Sequence, residues 1–441
     1  MALSLFLVVA TAKANNKATS SHADVVFKRA RPMVFQIKTA TTANSPKTSY
    51  GSGFVVSKDG LLATNYHVVA TAVQDEDRRY SIFVKIGKDN IPANVVAFDI
   101  INDLALVKIE RVFEEALDIN PKGVKVGEKI FSIGLPKDLE MSIVEGNYNG
   151  VLKEGVYRNI LMSSPINSGM SGGPTLNKRG EVIGVNVSIL LDSQNISFSV
   201  PSENVLKLIE EYEKGGKESV DKKVDEIVEK QLFSVQNHLL EDMLKGDNKN
   251  GQLGRWEFLA PPKSVKCWSN NKNDKKKTYN WKTQVCYLNK ASYIRDDTYS
   301  GSYEIRYMSL ENKKQNGIQY YNKIRAFYND AGKYSNVFLR FYNTDVYTKY
   351  DCNEQIIVNS ASIPFKINYC MRAFIKYKNL YNIYFKAVSL LKGRNAFIMK
   401  ARLEGFSKEN ILKFIKKQIS TIKITDNEVE MKFDENDEAE E

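Results

Sequence analysis

The stretch NSGMSGGP, residues 167–174, places glycines on both sides of a serine. Glycine lets a backbone turn tightly and approach another molecule closely, because it has no Cβ. A serine that attacks a carbonyl group needs a nearby base and backbone N–H groups that point at the developing oxyanion. Since Gly169 and Ser171 are two positions apart, their N–H groups are able to converge on one point. A tight loop and a phosphate cradle are the alternative interpretations of this stretch alone.

The chain offers three histidines as candidate bases. His67 follows an apolar run that Thr64 and Asn65 interrupt, which indicates a side chain held at a strand end and facing a cleft. A lone histidine beside apolar residues is otherwise most often a structural one. His22 lies in a polar stretch and His238 in an amphipathic one, so we expect both at the surface.

Asp103 is the candidate partner of that base, because it stands directly before the apolar run 104–107. A carboxylate in such a place is drawn partly into the interior, where it needs a hydrogen-bonding partner. An imidazole N–H would serve. The alternative is an ordinary turn aspartate, which is our interpretation of Asp99.

Short β-type runs broken by turn residues fill residues 25–200 and predict an all-β fold, most simply barrels. The pair Asp59-Gly60 between two apolar runs is a strong hairpin signal. Ser202 then opens a periodic segment that ends near Gly215, which predicts a closing helix with a serine cap.

The candidates gain specificity from their order and flanks: TNYHV at 64–68, NDLAL at 102–106 and GMSGGP at 169–174. With these motifs, residues 24–213 resemble the trypsin-like serine proteases of the chymotrypsin fold, and among these the HtrA/Deg type. The resemblance implies a double barrel with six strands in each barrel. Supporting matches are GSGF at 51–54, VGEK at 126–129, IGLP at 133–136 and FSVP at 198–201.

The resemblance also implies a role for each candidate. Ser171 would attack a peptide carbonyl, His67 would take and return the proton, and Asp103 would fix the imidazole tautomer. The backbone N–H groups of Gly169 and Ser171 would form the oxyanion hole. This chemistry uses neither a cofactor nor a metal, and its substrates are proteins or peptides.

Two features depart from the family's pattern. Met170 stands where many trypsin-like enzymes carry an acidic residue that traps a newly cleaved N-terminus, so we expect no such zymogen switch. HtrA proteins usually have asparagine there and normally continue into one or two PDZ domains. No PDZ-like pattern follows here, so peptide-triggered activation through such domains is not expected.

Pro165 occupies the position that the family uses as the base of the substrate pocket. It offers no carboxylate for a basic side chain, and no histidine stands nearby in the sequence to bind a glutamate. We therefore predict cleavage after small or medium aliphatic residues. The predicted pocket wall consists of Ser197, Phe198 and Ser199.

Residues 1–14 form a short apolar run that ends like a signal-peptide cleavage site, which predicts export to the periplasm or out of the cell. The usual positive region is missing, so a buried first strand and a misplaced start codon are the alternatives. No stretch reaches the roughly 18 apolar residues of a membrane span. Residues 426–441 end in an acidic run, which predicts a disordered tail.

The net charge of +11 is spread through the sequence and is too mild to predict a nucleic-acid partner. The lysines of residues 270–282 could mark an anion site, but such runs most often form a solvated hairpin tip.

Residues 214–250 carry apolar side chains at helical spacing and predict a helical linker to a second domain, residues 251–425. We expect an α+β fold that recruits substrate, binds a protein partner or covers the active site. The pattern predicts strands at 303–307, 337–342 and 381–385 and a helix from Lys408 that begins at Ser407.

All four cysteines lie in this second domain, and an even number in an exported chain suggests two disulfides. Their spacing resembles no metal clamp. Three pairings are possible, and reduced buried thiols are the alternative in a cytosolic protein. Neighbouring pairs close short loops, which favours Cys267–Cys286 and Cys352–Cys370.

The sequence thus predicts an exported serine endopeptidase that acts through an acyl-enzyme, in envelope protein quality control or processing. The chief alternative is a catalytically silent or latent binding or chaperone module on a protease fold. All three triad positions are filled, which argues against a catalytically silent protein.

Overall fold

A computed structural model describes residues 21–425 with internal gaps. The predicted signal peptide, the predicted strand at 337–342 and the acidic tail lie outside the described residues. The gaps are 47–48, 137–138, 155–156, 190–195, 216–219, 221–222, 245–249, 262–264, 273–277, 289–291, 296–297, 330–345 and 392–393.

The first six strands close into a barrel in the order β1-β2-β3-β6-β5-β4. The predicted hairpin at Asp59-Gly60 joins β2 to β3, which pair in an antiparallel register. Apolar side chains fill the barrel's interior. The strands are β1 (Val34–Ala40), β2 (Ser49–Ser57), β3 (Leu61–Thr64), β4 (Ser81–Ile86), β5 (Asp89–Asp99) and β6 (Leu104–Lys108).

The next six strands close into a second barrel in the order β10-β11-β12-β9-β8-β7. The predicted double six-stranded barrel is therefore confirmed. The stretch 167–174 leads into β10, directly beside the first barrel. The strands are β7 (Lys129–Gly134), β8 (Ser142–Glu154), β9 (Tyr157–Met162), β10 (Pro174–Leu176), β11 (Val182–Ile189) and β12 (Ser197–Pro201).

Helices lie outside the two barrels. The segment after β3 is a helix, α2 (Tyr66–Val73), which starts where the strand ends and covers the barrel with fully buried Val68 and Val69. The closing helix is also present, but Ser202 does not cap it; its hydroxyl donates to the backbone oxygen of Asn120 at 2.7 Å, and Pro201 is the N-cap residue. The others are α1 (Ser21–Ala30), α3 (Ser202–Lys214) and α4 (Val224–Leu244).

The second domain is α+β, as predicted, and centres on a seven-stranded antiparallel sheet of order β15-β16-β19-β23-β22-β21-β20. Helix α6 (Lys408–Ser420) begins at Ser407, whose hydroxyl accepts from the N–H of Asn410 at 3.1 Å. The sheet strands are β15 (Lys266–Lys272), β16 (Tyr279–Leu288), β19 (Tyr303–Asn312), β20 (Asp351–Val358), β21 (Pro364–Ala373), β22 (Tyr381–Ser389) and β23 (Asn395–Phe406). The remaining elements are β13 (Asn250–Leu253), β14 (Trp256–Leu259), β17 (Ser292–Arg295), β18 (Thr298–Ser300), β24 (Lys423–Ile424) and α5 (Gly317–Asn329).

Two disulfides staple the sheet at its edges. Cys267–Cys286 joins β15 to β16, and Cys352–Cys370 joins β20 to β21. Both bonds link residues that are direct cross-strand partners, so the predicted pairing is confirmed.

The two domains share apolar core. The second-domain residues Ile294, Phe374, Tyr377 and Leu380 are buried in one continuous apolar core with side chains of the first barrel and of α2. Among the described residues no helix is long and apolar enough to span a membrane.

Candidate active site

His67, at the start of α2, and Asp103, directly before β6, are hydrogen-bonded to each other. The Nδ1 atom of His67 lies 2.7 Å from Oδ2 of Asp103, and the backbone N–H of His67 donates to Oδ1 at 2.9 Å. A carboxylate accepts hydrogen bonds, so Nδ1 carries the proton and Nε2 is left as the basic atom. Both halves of the predicted pair are thus held in the geometry that a general base requires.

The backbone of Asp103 is fixed as firmly as its side chain. Its φ of 55° is in the left-handed region, which a non-glycine residue adopts at a cost. Its carbonyl oxygen accepts from Nδ2 of Asn65 at 2.8 Å and from the N–H of Tyr66 at 3.2 Å. These bonds hold the turn before β6 against the start of α2. In contrast, Asp99 is the turn aspartate that the sequence predicts, since its carboxylate accepts from the N–H groups of Ile101 and Asn102.

The surroundings of His67 act on its pKa in opposite directions. Burial lowers the pKa, whereas the negative charge of Asp103 and its hydrogen bond raise it, and the net result is a pKa above the usual value. About one-third of the His67 side chain stays exposed, so substrate is able to reach it. The other two histidines, His22 and His238, are exposed, as predicted.

The stretch 167–174 packs against the first barrel through Ser52 on β2. The N–H of Ser52 donates to the carbonyl oxygen of Ser171 at 2.7 Å, and its hydroxyl donates to that of Gly169 at 2.7 Å. The same hydroxyl accepts from the N–H of Leu135 at 2.9 Å. Fully buried Ser52 therefore ties the serine stretch to both barrels.

The glycine after Ser171 is required by space and by conformation. Gly172 has a φ of 84°, and a Cβ there would lie 2.1 Å from the backbone oxygen of Ser52 and 2.4 Å from Oγ1 of Thr64. A glycine is the residue that permits this close approach. The chain next to Ser171 thus touches the end of β3, three residues before His67.

Backbone donors on either side of Met170 are without a partner in the described part of the chain. The N–H groups of Gly169 and Ser171 make no hydrogen bond to any part of the chain that the structure describes. The N–H of Met170 between them donates to the oxygen of Asn167 at 3.0 Å instead. Free N–H groups two positions apart beside a serine are suited to binding an oxyanion.

Buried polar side chains of the second barrel hydrogen-bond to the backbone of the stretch 167–174. Asn186 on β11 donates from Nδ2 to the backbone oxygens of Ile133 at 3.1 Å and Met170 at 3.4 Å. Its Oδ1 accepts from the hydroxyl of Thr175 at 2.7 Å, which also bonds Ser199 at 2.9 Å. The side chain of Met170 is itself fully buried in the second barrel.

Ser171 is not hydrogen-bonded to His67 in this structure. Its hydroxyl donates to the carbonyl oxygen of Val187 at 3.3 Å, within the described part of the chain. Of the three predicted triad residues, His67 and Asp103 are therefore bonded to each other, and Ser171 is bonded separately to Val187; their joint role stays a prediction.

The predicted pocket residues lie in one region of the second barrel. Ser197 donates to the oxygen of Ser164 at 2.6 Å and so fixes the segment that contains exposed Pro165. Ser199 is fully buried and bonded to Thr175, and Phe198 is half-buried. The substrate pocket stays a prediction.

Ser52, Asn186 and Thr175 are the supporting residues that the sequence did not single out as part of the site. Only Ser52 had a signal, because it belongs to the GSGF motif. Asn186 lies inside an apolar strand, where a polar residue indicates a buried hydrogen bond but not its partner. Within the described residues no group of three or more His, Cys, Asp or Glu side chains could hold a metal ion.

Residues 51–185 match the trypsin-like peptidase domain family. A probable periplasmic serine endoprotease DegP-like from Hahella chejuensis is 34% identical over 177 residues, which are 38% of this chain and 36% of that protein. Protease Do-like 5, chloroplastic, from Arabidopsis thaliana is 32% identical over 188 residues, 36% of this chain and 55% of that protein. The matches with these two relatives thus cover well under half of this chain.

The chain thus spans about a third of the length of the DegP-like relatives that it matches. Among solved structures, the serine endoprotease from Yersinia pestis aligns with 45% of this chain and 68% of its own, at 26% identity and a TM-score of 0.39.

Proposed function

We propose that the protein is a serine endopeptidase that cleaves protein substrates through Ser171, His67 and Asp103. Ser171 Oγ attacks the peptide carbonyl carbon while Nε2 of His67 accepts the hydroxyl proton. The oxyanion is bound by the N–H groups of Gly169 and Ser171. His67 then gives its proton to the leaving amine. Water attacks the acyl-enzyme while His67 accepts its proton, and His67 returns that proton to Ser171 Oγ as the acid product leaves.

The observation that carries this proposal is the joint geometry of the base and the donors. His67 is oriented by Asp103 so that Nε2 is its basic nitrogen, and the N–H groups of Gly169 and Ser171 make no hydrogen bond within the described residues. A structural histidine would need no such donors, and a phosphate cradle would need no oriented base.

Covalent labelling with a fluorophosphonate probe tests the proposal, since the probe reacts with an activated serine. We expect the wild-type protein and Ser168→Ala to be labelled and Ser171→Ala to stay unlabelled. Ser168 is the matched control because it is an exposed serine of the same stretch. Labelling that persists in Ser171→Ala would exclude Ser171 as the nucleophile.

A latent protease-fold module is the second candidate, and the bond from Ser171 to Val187 favours it. In that state the serine hydroxyl must turn towards His67 before reaction. Labelling that appears only when a protein substrate or a peptide is added would support latency. Substrate binding by a protein that is never labelled would support a silent binding module.

For the physiological setting, we propose export and a role in envelope protein quality control or processing. The word periplasmic in the names of the DegP-like relatives supports the location. The pocket proposal is cleavage after small or medium aliphatic residues. Dominant cleavage after Arg, Lys or Glu in a peptide library would contradict it.

A further inference from the structure

Tyr66, the residue directly before His67, is anchored by the second domain. Its side chain is fully buried, and its hydroxyl donates to the backbone oxygen of Ile294 on β17 at 2.8 Å. Its ring packs edge-on against Tyr293, with ring centroids 6.5 Å apart, and stacks on Phe98 of the first barrel. The first residue of α2 is therefore held between the two domains.

The other end of α2 is tied to the same anchor. Gln74, the C-cap residue of the helix, donates from Nε2 to the Tyr66 hydroxyl at 2.9 Å. Its Oε1 accepts from the hydroxyl of Tyr377, a second-domain residue, at 2.8 Å. All three side chains are buried, so each hydrogen bond in the chain Tyr377–Gln74–Tyr66–Ile294 replaces one that water would otherwise make.

An ion pair closes the rim of this contact. Lys376 Nζ lies 3.1 Å from Glu76, just after α2, and 3.3 Å from Asp225 at the start of α4. The second domain thus contacts the first residue of α2, its C-cap residue and Glu76, which follows the helix.

The contact reaches the catalytic pair through the backbone. The N–H of Tyr66 donates to the carbonyl oxygen of Asp103, and the next N–H, that of His67, donates to its carboxylate. A displacement of Tyr66 would therefore change the separation of His67 and Asp103.

We infer that the second domain is a built-in activator, and that Tyr66 and Gln74 are positioning residues through which its docking sets the His67–Asp103 geometry. This inference rests on the proposed function for its catalytic meaning. It assigns the second domain a role within the chain, separate from any recruitment of substrate. Loosening of the contact would lower activity without any change in a residue that touches substrate.

The test compares Tyr377→Phe with Tyr321→Phe. Each change removes one tyrosine hydroxyl, but Tyr321 is exposed on α5, away from α2. Tyr377→Phe leaves Oε1 of Gln74 without its donor. If that variant proves unfolded, Tyr66→Phe cuts the same hydrogen-bond chain from the other side.

The first measurement is the pKa of His67 by NMR with labelled histidine, in a Ser171→Ala background that needs no turnover. The exposed His22 and His238 serve as internal references. We expect Tyr377→Phe to bring the His67 pKa down towards its usual value and Tyr321→Phe to leave it unchanged. The second measurement, the fluorophosphonate labelling rate with Ser171 present, should fall about fivefold or more in Tyr377→Phe.

The two hypotheses fail in different ways. A wild-type protein that is never labelled, but whose His67 pKa responds to Tyr377→Phe, would remove the proposed function and keep the coupling. An unchanged His67 pKa in Tyr377→Phe would overturn the coupling, whatever happens to the labelling rate, since the effect would then not pass through His67.

Discussion

At the scale of single residues, the charge of Asp103 decides how His67 behaves with pH. A general base works only when neutral, so activity rises with pH through the pKa of His67. Asp103 raises that pKa above the ordinary value of about 6.5. We therefore expect the acidic limb of kcat/KM for the wild-type protein to have its midpoint above about 6.5.

Replacement of Asp103 by asparagine should shift the acidic limb of the pH profile and lower the maximal activity. Asp103→Asn removes both contributions that raise the His67 pKa, leaving burial, which lowers it. The limb should shift to lower pH, while kcat falls on the order of 10⁴-fold because the tautomer is no longer fixed. The measurement is a pH profile of peptide hydrolysis for both proteins. A limb that stays in place would show that another group titrates there.

Ser52 is the second residue whose substitution we expect to lower activity. Ser52→Ala leaves the N–H of Leu135 and the oxygen of Gly169 without a partner, at a cost of about 1–3 kcal/mol in stability. Displacement of the Gly169 peptide should weaken the oxyanion hole and lower kcat by about 10- to 100-fold, with KM little changed. Ser57→Ala, at the other end of β2, is the control. Equal kinetics for the two variants would contradict the role of Ser52.

At the scale of elements, the turn between β10 and β11 shows how a local ion cluster affects stability. Hydrogen bonds from Arg179 and Asn177 are the main reasons why the pKa of Glu181 falls to about 2, and one from Asn120 adds to them. A carboxyl whose pKa is lowered by folding stabilises the fold above its unfolded pKa of about 4.3. This stabilisation is lost as the pH falls towards 2.

Glu181→Gln should therefore destabilise the protein by about 1 kcal/mol at neutral pH, a small value because the partners are largely exposed. The difference in melting temperature from the wild type should shrink steadily between about pH 5 and pH 2. Glu211→Gln, an exposed carboxylate on α3, should give no such pH-dependent difference. A difference that is constant with pH would assign the effect of Glu181→Gln to packing.

Elements with a local signal were predictable, and those set by distant contacts were not. The hairpin at Asp59-Gly60 and the cap at Ser407 follow from their own sequences. Helix α2 was missed, because Val68 and Val69 have strand propensity and burial against the barrel overrides it. The bonded His67–Asp103 pair could be found from motifs, whereas the Tyr66–Ile294 bond joins residues more than 200 positions apart and has no sequence pattern.

At the scale of the whole molecule, the shared core makes the two domains depend on each other. Leu380 of the second domain is fully buried in the same apolar core as α2 and the first barrel. Leu310, equally buried, belongs instead to a separate core beneath α5. Truncation of either leucine costs about 2–5 kcal/mol, so the two variants are matched in severity but differ in place.

Hydrogen exchange separates a cooperative molecule from two independent domains. Leu380→Ala should speed the exchange of amides in α2 and in the adjoining strands β1 and β2, because opening of the second domain then uncovers the first barrel. Leu310→Ala should speed exchange around α5 and leave α2 protected. If both variants leave the exchange rates of α2 unchanged, the barrels fold as an independent unit, and the second domain does not contribute to their stability. If only Leu380→Ala speeds amide exchange in α2, the helix that carries His67 depends on the second domain for its stability.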